Sequence, residues 1–233
     1  MNEIFFLKPS ENETGKIVLN KILEIINNSK QLLFCISYFT HLEIADAIIR
    51  RVKQKKNTFI IINSHDILRP DGPNKSTIHV SAALLKLFEN LGDIYERDGK
   101  KFNQGFSDEF DNPVKIRLLG RDSKSDPLQS IMHHKFIIGD NEIVAFGSLN
   151  YTFSAFQNNY ENVCFSRDPK LIREFSEEFL KLWNQAENFF AKNGRIRCVK
   201  CPYCRLEGTV DFESYGAFCT DCGHKFKKTD VTI

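Results

Sequence analysis

The chain has 233 residues, 42% of them hydrophobic and 27% charged, with a formal net charge of +2. That length supports one substantial domain, or a domain with a small module, and the balance excludes an intrinsically disordered chain. The net charge selects no class of partner by itself, although Lys and Arg outnumber Asp and Glu over residues 192–233.

The opening stretch MNEIFFLKPSENETG lacks a basic region followed by an apolar core, so no secretory signal is expected. The longest apolar runs, such as LLFCISYF, fall far short of the roughly 20 residues that span a bilayer, so no membrane partner is expected. A cytoplasmic location is the resulting expectation. Five of the seven cysteines crowd into one short C-terminal segment, which is not the spacing of a disulfide framework. Cys35 and Cys164 sit in apolar runs and are expected to be buried thiols.

Residues 3–8 read as a short strand. Ile17, Leu19, Ile22, Leu23, Ile25 and Ile26 give an amphipathic helix ending near Asn27 and Asn28. QLLFCISYF (31–39) reads as a buried strand, and HLEIADAIIRRVKQKK (41–56) as a helix with its cations in the last turn. NTFIIIN (57–63) is a second apolar strand, followed by a long loop with Pro70, Gly72 and Pro73. STIHVSAALLKLFENLG (76–92) reads as a helix closed by Gly92. DIYER (93–97) and VKIRLL (114–119) are strands joined by a polar loop at 98–113. YENVCFS (160–166) is a further strand, and residues 168–192 form a long helix capped by Asp168, with Pro169 first, that ends at Gly194. Strands alternating with helices, several of them unbroken apolar runs, predict a mixed α/β sandwich around a central sheet.

Between these elements lies IMHHKFIIGDNEIVAFGSLNYT (131–152), which reads as two strands joined by a polar turn at Gly139-Asp140-Asn141. A turn centred between Asp140 and Asn141 places His133 across from Ser148. Strand alternation puts His133 and Lys135 on one face and His134 and Phe136 on the other, with Ser148 and Asn150 joining His133. A histidine, a lysine, a hydroxyl and an amide gathered at one end of a hairpin can handle a phosphate. A histidine nitrogen can attack phosphorus covalently, a second histidine must protonate the leaving oxygen, and Lys135 and Asn150 would hold the non-bridging oxygens. No carboxylate cluster of the magnesium-binding kind accompanies them, which favours chemistry without a metal.

His133-x-Lys135-x4-Asp140, then Gly147-Ser148-x-Asn150-x-Thr152 and later Glu161, resembles the signature of the phospholipase D superfamily. The resemblance covers about residues 30–185, including the strand ending in Ser37-Tyr38 and the helix ending in Phe179-x3-Trp183. The His-x-Lys pattern occurs once, as in the small bacterial nucleases of that superfamily. The resemblance implies a phospholipase D-like nuclease domain over residues 1–193 whose composite site is built by a homodimer. His133 of one subunit would be the nucleophile and His133 of the other the general acid. Lys135, Ser148 and Asn150 would bind phosphate, and Glu161 would orient a histidine. The implied activity is metal-independent endonucleolytic cleavage, of DNA more than RNA, with restriction or defence as a role within the superfamily's range. The alternatives are a phospholipid hydrolase or transferase, and a non-catalytic nucleic-acid- or protein-binding module. Asp140, seven residues beyond His133, lies about 23 Å along an extended strand and reads as a turn-stabilising residue. His134 reads as a packed, hydrogen-bonded histidine on the other face, and His65 and Asp66 as ordinary loop polars.

Residues 194–233 form the second expected unit. Cys201-Pro-Tyr-Cys204 and Cys219-Thr-Asp-Cys222 give four thiolates at the spacing of a tetrahedral structural zinc site, which resembles a zinc ribbon. Gly223 supplies the tight turn after the second pair, while Cys198 and His224 stand outside this first-choice ligand set as its alternatives. Arg195, Arg197, Lys200, Lys225 and Lys227, with Arg205, Lys228 and the aromatics Tyr203, Tyr215, Phe218 and Phe226, offer a surface for nucleic acid. Protein docking through the ribbon is the other reading.

Overall fold

The structure, a computed structural model, describes residues 2–9, 11–64, 77–97, 100–106, 111–120, 130–189, 195–198, 201–206, 210–213 and 216–227. His65, Asp66, Pro70, Gly72, Pro73, Gly194, Lys200, Tyr215 and Lys228 lie outside them, as do the side chains of His79, Arg195, Arg197, Cys198 and Phe218.

In chain order the elements are β1 (Asn2–Leu7), α1 (Asn12–Asn28), β2 (Gln31–Ile36), α2 (Leu42–Lys53), β3 (Asn57–Asn63), β4 (Thr77–Val80), α3 (Ala82–Leu91), β5 (Asp93–Arg97), β6 (Lys100–Gly105) and β7 (Val114–Leu119). They continue with β8 (Lys135–Gly139), β9 (Ile143–Gly147), α4 (Phe153–Gln157), β10 (Glu161–Ser166), α5 (Pro169–Gln185), β11 (Glu187–Asn188), β12 (Arg195–Cys198), β13 (Val210–Glu213), β14 (Gly216–Cys219) and β15 (Lys225–Phe226).

Eight strands form one mixed sheet in the order β1-β10-β9-β8-β2-β3-β7-β11. Its centre, β2-β3-β7, is parallel, and β1, β10, β9 and β8 run as an antiparallel meander against β2. The apolar runs are buried on both faces because helices cover both. Phe34, Ile36, Ile60, Ile62 and Ile137 pack with residues of α1, α2 and α3. Cys35, Ile61, Phe136, Ile138 and Val144 pack instead with Ile172 and Phe179 of α5. The expected α/β sandwich is therefore the observed architecture.

Several boundaries differ from the sequence expectation. The helix expected over 76–92 is split: Thr77–Val80 is strand, pairing in parallel with β12, and Ser81 is the helix N-cap. The β-branched residues Thr77, Ile78 and Val80 favour the strand, while the Ser81 hydroxyl accepts the Leu84 N–H at 3.2 Å and donates to the Phe39 carbonyl at 2.8 Å. The polar loop expected at 98–113 contains β6, which pairs antiparallel with β5 and carries too few apolar residues to signal a strand. The last helix stops at Gln185, short of Lys192. There β11 takes up the open edge of β7, and Phe189 buries its ring beside Phe88 and Phe106. At its start α5 follows expectation, with Asp168 Oδ1 accepting the Lys170 N–H at 2.8 Å and Pro169 in the first turn. The short helix α4, capped by Thr152, carried too few residues for a periodic pattern.

Candidate active site and metal centre

The β8–β9 hairpin is one residue out of the expected register. Phe136 faces Phe146 and Gly139 faces Ile143, so the turn centres on Asn141. Asp140 and Asn141 both adopt left-handed φ, 53° and 56°, and Glu142 donates its N–H to the Gly139 carbonyl at 2.9 Å. This register keeps Phe136, Ile138, Val144 and Phe146 against α5, and a one-residue slip would turn one strand inside out. His133 is consequently not across from Ser148, and it precedes the first ladder residue, Lys135.

The site still assembles at this end of the hairpin. Val163 pairs with Gly147, so Glu161, two residues earlier, shares the face of Lys135 and Ile137. The ladder ends at Gly147, where a Cβ would meet the Asn162 carbonyl oxygen at 2.2 Å. That close approach draws the chain inward. Ser148 donates its N–H to the Asn162 carbonyl at 3.0 Å, its hydroxyl oxygen accepts the Asn162 N–H at 3.0 Å, and its hydroxyl donates to Glu161 Oε2. Asn159 donates to the other carboxylate oxygen at 3.4 Å, a contact that no sequence spacing signalled.

Lys135 is 8% exposed, and its Nζ donates to the His133 carbonyl at 2.7 Å. Its charge acts on both neighbours. The His133 imidazole lies below its ordinary pKa, first through partial burial, then through the charges of Lys135 and His134. Glu161 lies above its ordinary value because burial outweighs its hydrogen bonds from Ser148 and Asn159 and the attraction of Lys135. A neutral imidazole beside a buried ammonium is a competent nucleophile towards an anionic centre. NMR titration is expected to show His133 deprotonating below 6.5. In Lys135→Met its midpoint should rise towards that value, and an unchanged midpoint would remove Lys135 as a cause.

The remaining site residues are less closely joined. Asn150 is half-buried, with Oδ1 lacking a partner among the described residues. Its neighbour Tyr151 is clamped to the sheet, donating its N–H to the Tyr38 carbonyl at 3.1 Å and accepting from Thr40 at 3.0 Å. Among the described hydrogen bonds Glu161 engages Ser148 and Asn159, not the His133 imidazole. Asp140 sits at the opposite end of the strand, where its carboxylate accepts the N–H groups of Lys30 at 3.0 Å and Gln31 at 2.7 Å. His134 is on the α5 face, half exposed rather than packed, with Nε2 3.6 Å from Glu178.

At the C-terminus the sulfurs of Cys201, Cys204, Cys219 and Cys222 all lie within 4.8 Å of one another. Cys201 and Cys222 are 3.8 Å apart and Cys204 and Cys219 3.6 Å. Tetrahedral zinc with bonds of about 2.3 Å sets its sulfurs about 3.8 Å apart, so the donor set fits that ion. The two knuckles are alike. Arg205 donates its N–H to the Cys201 carbonyl at 3.0 Å, and Gly223 to that of Cys219 at 2.9 Å. Both have left-handed φ, 65° and 72°, which was legible at Gly223 and hidden at Arg205. The His224 imidazole stacks on Tyr203 rather than joining the sulfurs. Lys225 and Lys227 are exposed on this module.

Comparison with known proteins places these features. Mitochondrial cardiolipin hydrolases are similar over a short stretch. The Danio rerio protein is 44% identical over 70 residues, 28% of this chain and 31% of its own length. The Homo sapiens protein is 43% identical over 70 residues, 30% of this chain and 28% of its own. The match thus spans about a third of the curated relatives' length. Among solved structures, NucT from Helicobacter pylori is 25% identical with a TM-score of 0.57, covering 81% of this chain and 99% of its own. Nuc from Salmonella typhimurium, at 20% identity and a TM-score of 0.53 over 81% and 99% of the two chains, shares the fold. The family model described as "Cardiolipin synthase, PLD-like domain" matches residues 22–183, which contain the whole hairpin, Glu161 and all but the last two residues of α5. The chain therefore belongs to the phospholipase D-like domain family.

Proposed function

We propose that the protein is a metal-independent phosphodiesterase that cleaves nucleic acid, DNA above RNA, at a site shared by two copies of the chain. One observation carries this reading: Lys135, Ser148 and Glu161 converge on one sheet face beside the His133 imidazole, whose pKa burial and the charges of Lys135 and His134 shift downward, on a fold shared with NucT and Nuc over 99% of their lengths. His133 attacks phosphorus while the P–O bond to the leaving group breaks. That oxygen takes a proton from the imidazolium of His133 of the partner subunit. The imidazole so formed then deprotonates a water, which attacks phosphorus and breaks the N–P bond. Lys135 and Asn150 stabilise the charge on the non-bridging oxygens, and Ser148, fixed by Glu161, lines the same side. Zinc on the four cysteines would hold the ribbon together and take no part in the reaction. Cytoplasmic location, the boundary near residue 194 and a restriction or defence role belong to the same proposal.

The identity with cardiolipin hydrolases favours a second reading, hydrolysis of a phospholipid diester at the same residues. One experiment separates them. Purified protein is incubated in EDTA with plasmid DNA, with single-stranded oligonucleotide and with cardiolipin vesicles, while a zinc assay confirms that the ribbon metal stays bound. Nucleic-acid cleavage that added magnesium does not raise is the expected result. A magnesium requirement overturns the mechanism, and turnover of vesicles alone selects the phospholipid reading.

A further inference from the structure

The ribbon carries an exposed aromatic stack. Tyr203 is 55% exposed, and its ring lies 4.2 Å from that of His224 at an interplanar angle of 18°. The Phe226 ring, buried in the ribbon core, lies 6.2 Å from that of Tyr203, tilted by 50°. Exposed cations adjoin the stack in sequence: Arg205 follows the first knuckle and Lys225 follows His224. An exposed aromatic face with cations next to it in the chain matches a base and its phosphate, and the base must be unstacked to use it.

The position of the ribbon adds the second observation. Tyr38, 2% exposed, continues β2 into the ribbon core and packs with Cys201, Val210, Ala217, Cys219 and Phe226. The same residue's carbonyl holds the N–H of Tyr151, directly after Asn150. The ribbon is thus seated on the residue that clamps the Ser148–Tyr151 loop.

We propose that the Tyr203–His224 stack is a base-binding platform for single-stranded nucleic acid, on a module that Tyr38 ties to the catalytic loop. This rests on the nucleic-acid reading of the active site and names the form of the substrate. A strand bound on the platform is held beside the site that cuts it, whereas a duplex, its bases stacked internally, gains only the cations.

The test uses the full-length, zinc-loaded chain carrying His133→Ala, so that nothing is cut. Anisotropy is measured with a fluorescent 20-nucleotide single strand and with its duplex. Tyr203→Leu, which keeps apolar volume and loses the ring, is expected to weaken single-strand binding roughly tenfold and duplex binding less than about twofold. Tyr203→Phe should bind as the parent does. Zinc content, measured for each variant, shows that the ribbon is intact. Lys225→Ala is the second arm and should weaken both ligands together. Unchanged single-strand affinity in Tyr203→Leu with zinc retained overturns the platform, and so does an equal loss for the duplex. Hydrolysis of bis(p-nitrophenyl) phosphate by the unsubstituted chain is scored separately. Its failure would count against the proposed chemistry, while the platform stands or falls on the oligonucleotide arm.

Discussion

His133→Ala is expected to remove nucleic-acid cleavage, a loss on the order of 10⁴-fold or more in kcat/KM. The size follows from the single His-x-Lys per chain. In a two-copy site one substitution deletes the nucleophile from one subunit and the general acid from the other, so neither half-reaction retains its partner. A site complete within one chain would lose one role and keep some of the other. Mixed dimers with one substituted chain are therefore also expected to be inactive. Single-turnover assays on sized dimers read this directly, with base-quenched samples probed for a phosphohistidine on the unsubstituted protein. Residual cleavage above about one per cent in the variant, or an active species that sizes as a monomer, would sink the shared site. The acid limb of the profile follows from the depressed imidazole. The reacting pair needs one His133 neutral and the other protonated, and both share the lowered pKa, so the activity maximum should lie on the acid side of pH 6.5 and fall as both imidazoles gain or both lose the proton.

The parts of the fold that were legible are those where one physical signal dominates. β2 and β3 are unbroken apolar runs because both sheet faces are covered, and Asp168-Pro169 announces the start of α5 with a capping side chain and a fixed φ. The cysteine knuckles carry their spacing openly. What was hidden depends on partners remote in sequence. Thr77–Val80 is strand because Arg195–Cys198 lies beside it, and Glu187–Asn188 is strand because β7 offers an edge. The hairpin register hinges on whether Glu142 belongs to the turn, which the residues Asp140 and Asn141 do not decide alone. Within the site, the residue types were legible and the wiring was not. Ser148 is bound to Glu161 across neighbouring strands, and Tyr38 joins the Ser148–Tyr151 loop to the ribbon only after the chain has folded.

Arg51, one of the basic residues in the last turn of α2, is expected to have the largest effect on stability. It is 1% exposed. Nε donates to Thr58 Oγ1 at 2.8 Å, Nη1 to the carbonyls of Ile26 and, at 3.3 Å, Ser29, and Nη2 to those of Asn57 at 2.9 Å and Lys30 at 3.4 Å. One guanidinium thus closes the end of α1, the entry to β2 and the entry to β3. Burial lowers its pKa to about 10, with Asp140 opposing, so it remains charged at neutral pH. Arg51→Met fills the volume but strands buried carbonyls, and should cost about 3–5 kcal/mol and roughly 10 °C in Tm. Arg51→Lys should recover little, because a single ammonium cannot reach acceptors on three segments. Asp140 belongs to this same corner, holding the backbone N–H groups of Lys30 and Gln31. Asp140→Asn keeps one acceptor oxygen and loses the charge, so Tm should fall by a few degrees while kcat/KM per folded molecule is retained. The opposite outcome, lost cleavage at unchanged Tm, would move Asp140 into the chemistry. Both sets of variants are read in one melting assay, and Asp140→Asn, scored for cleavage as well, decides whether the motif's aspartate serves the turn or the phosphate.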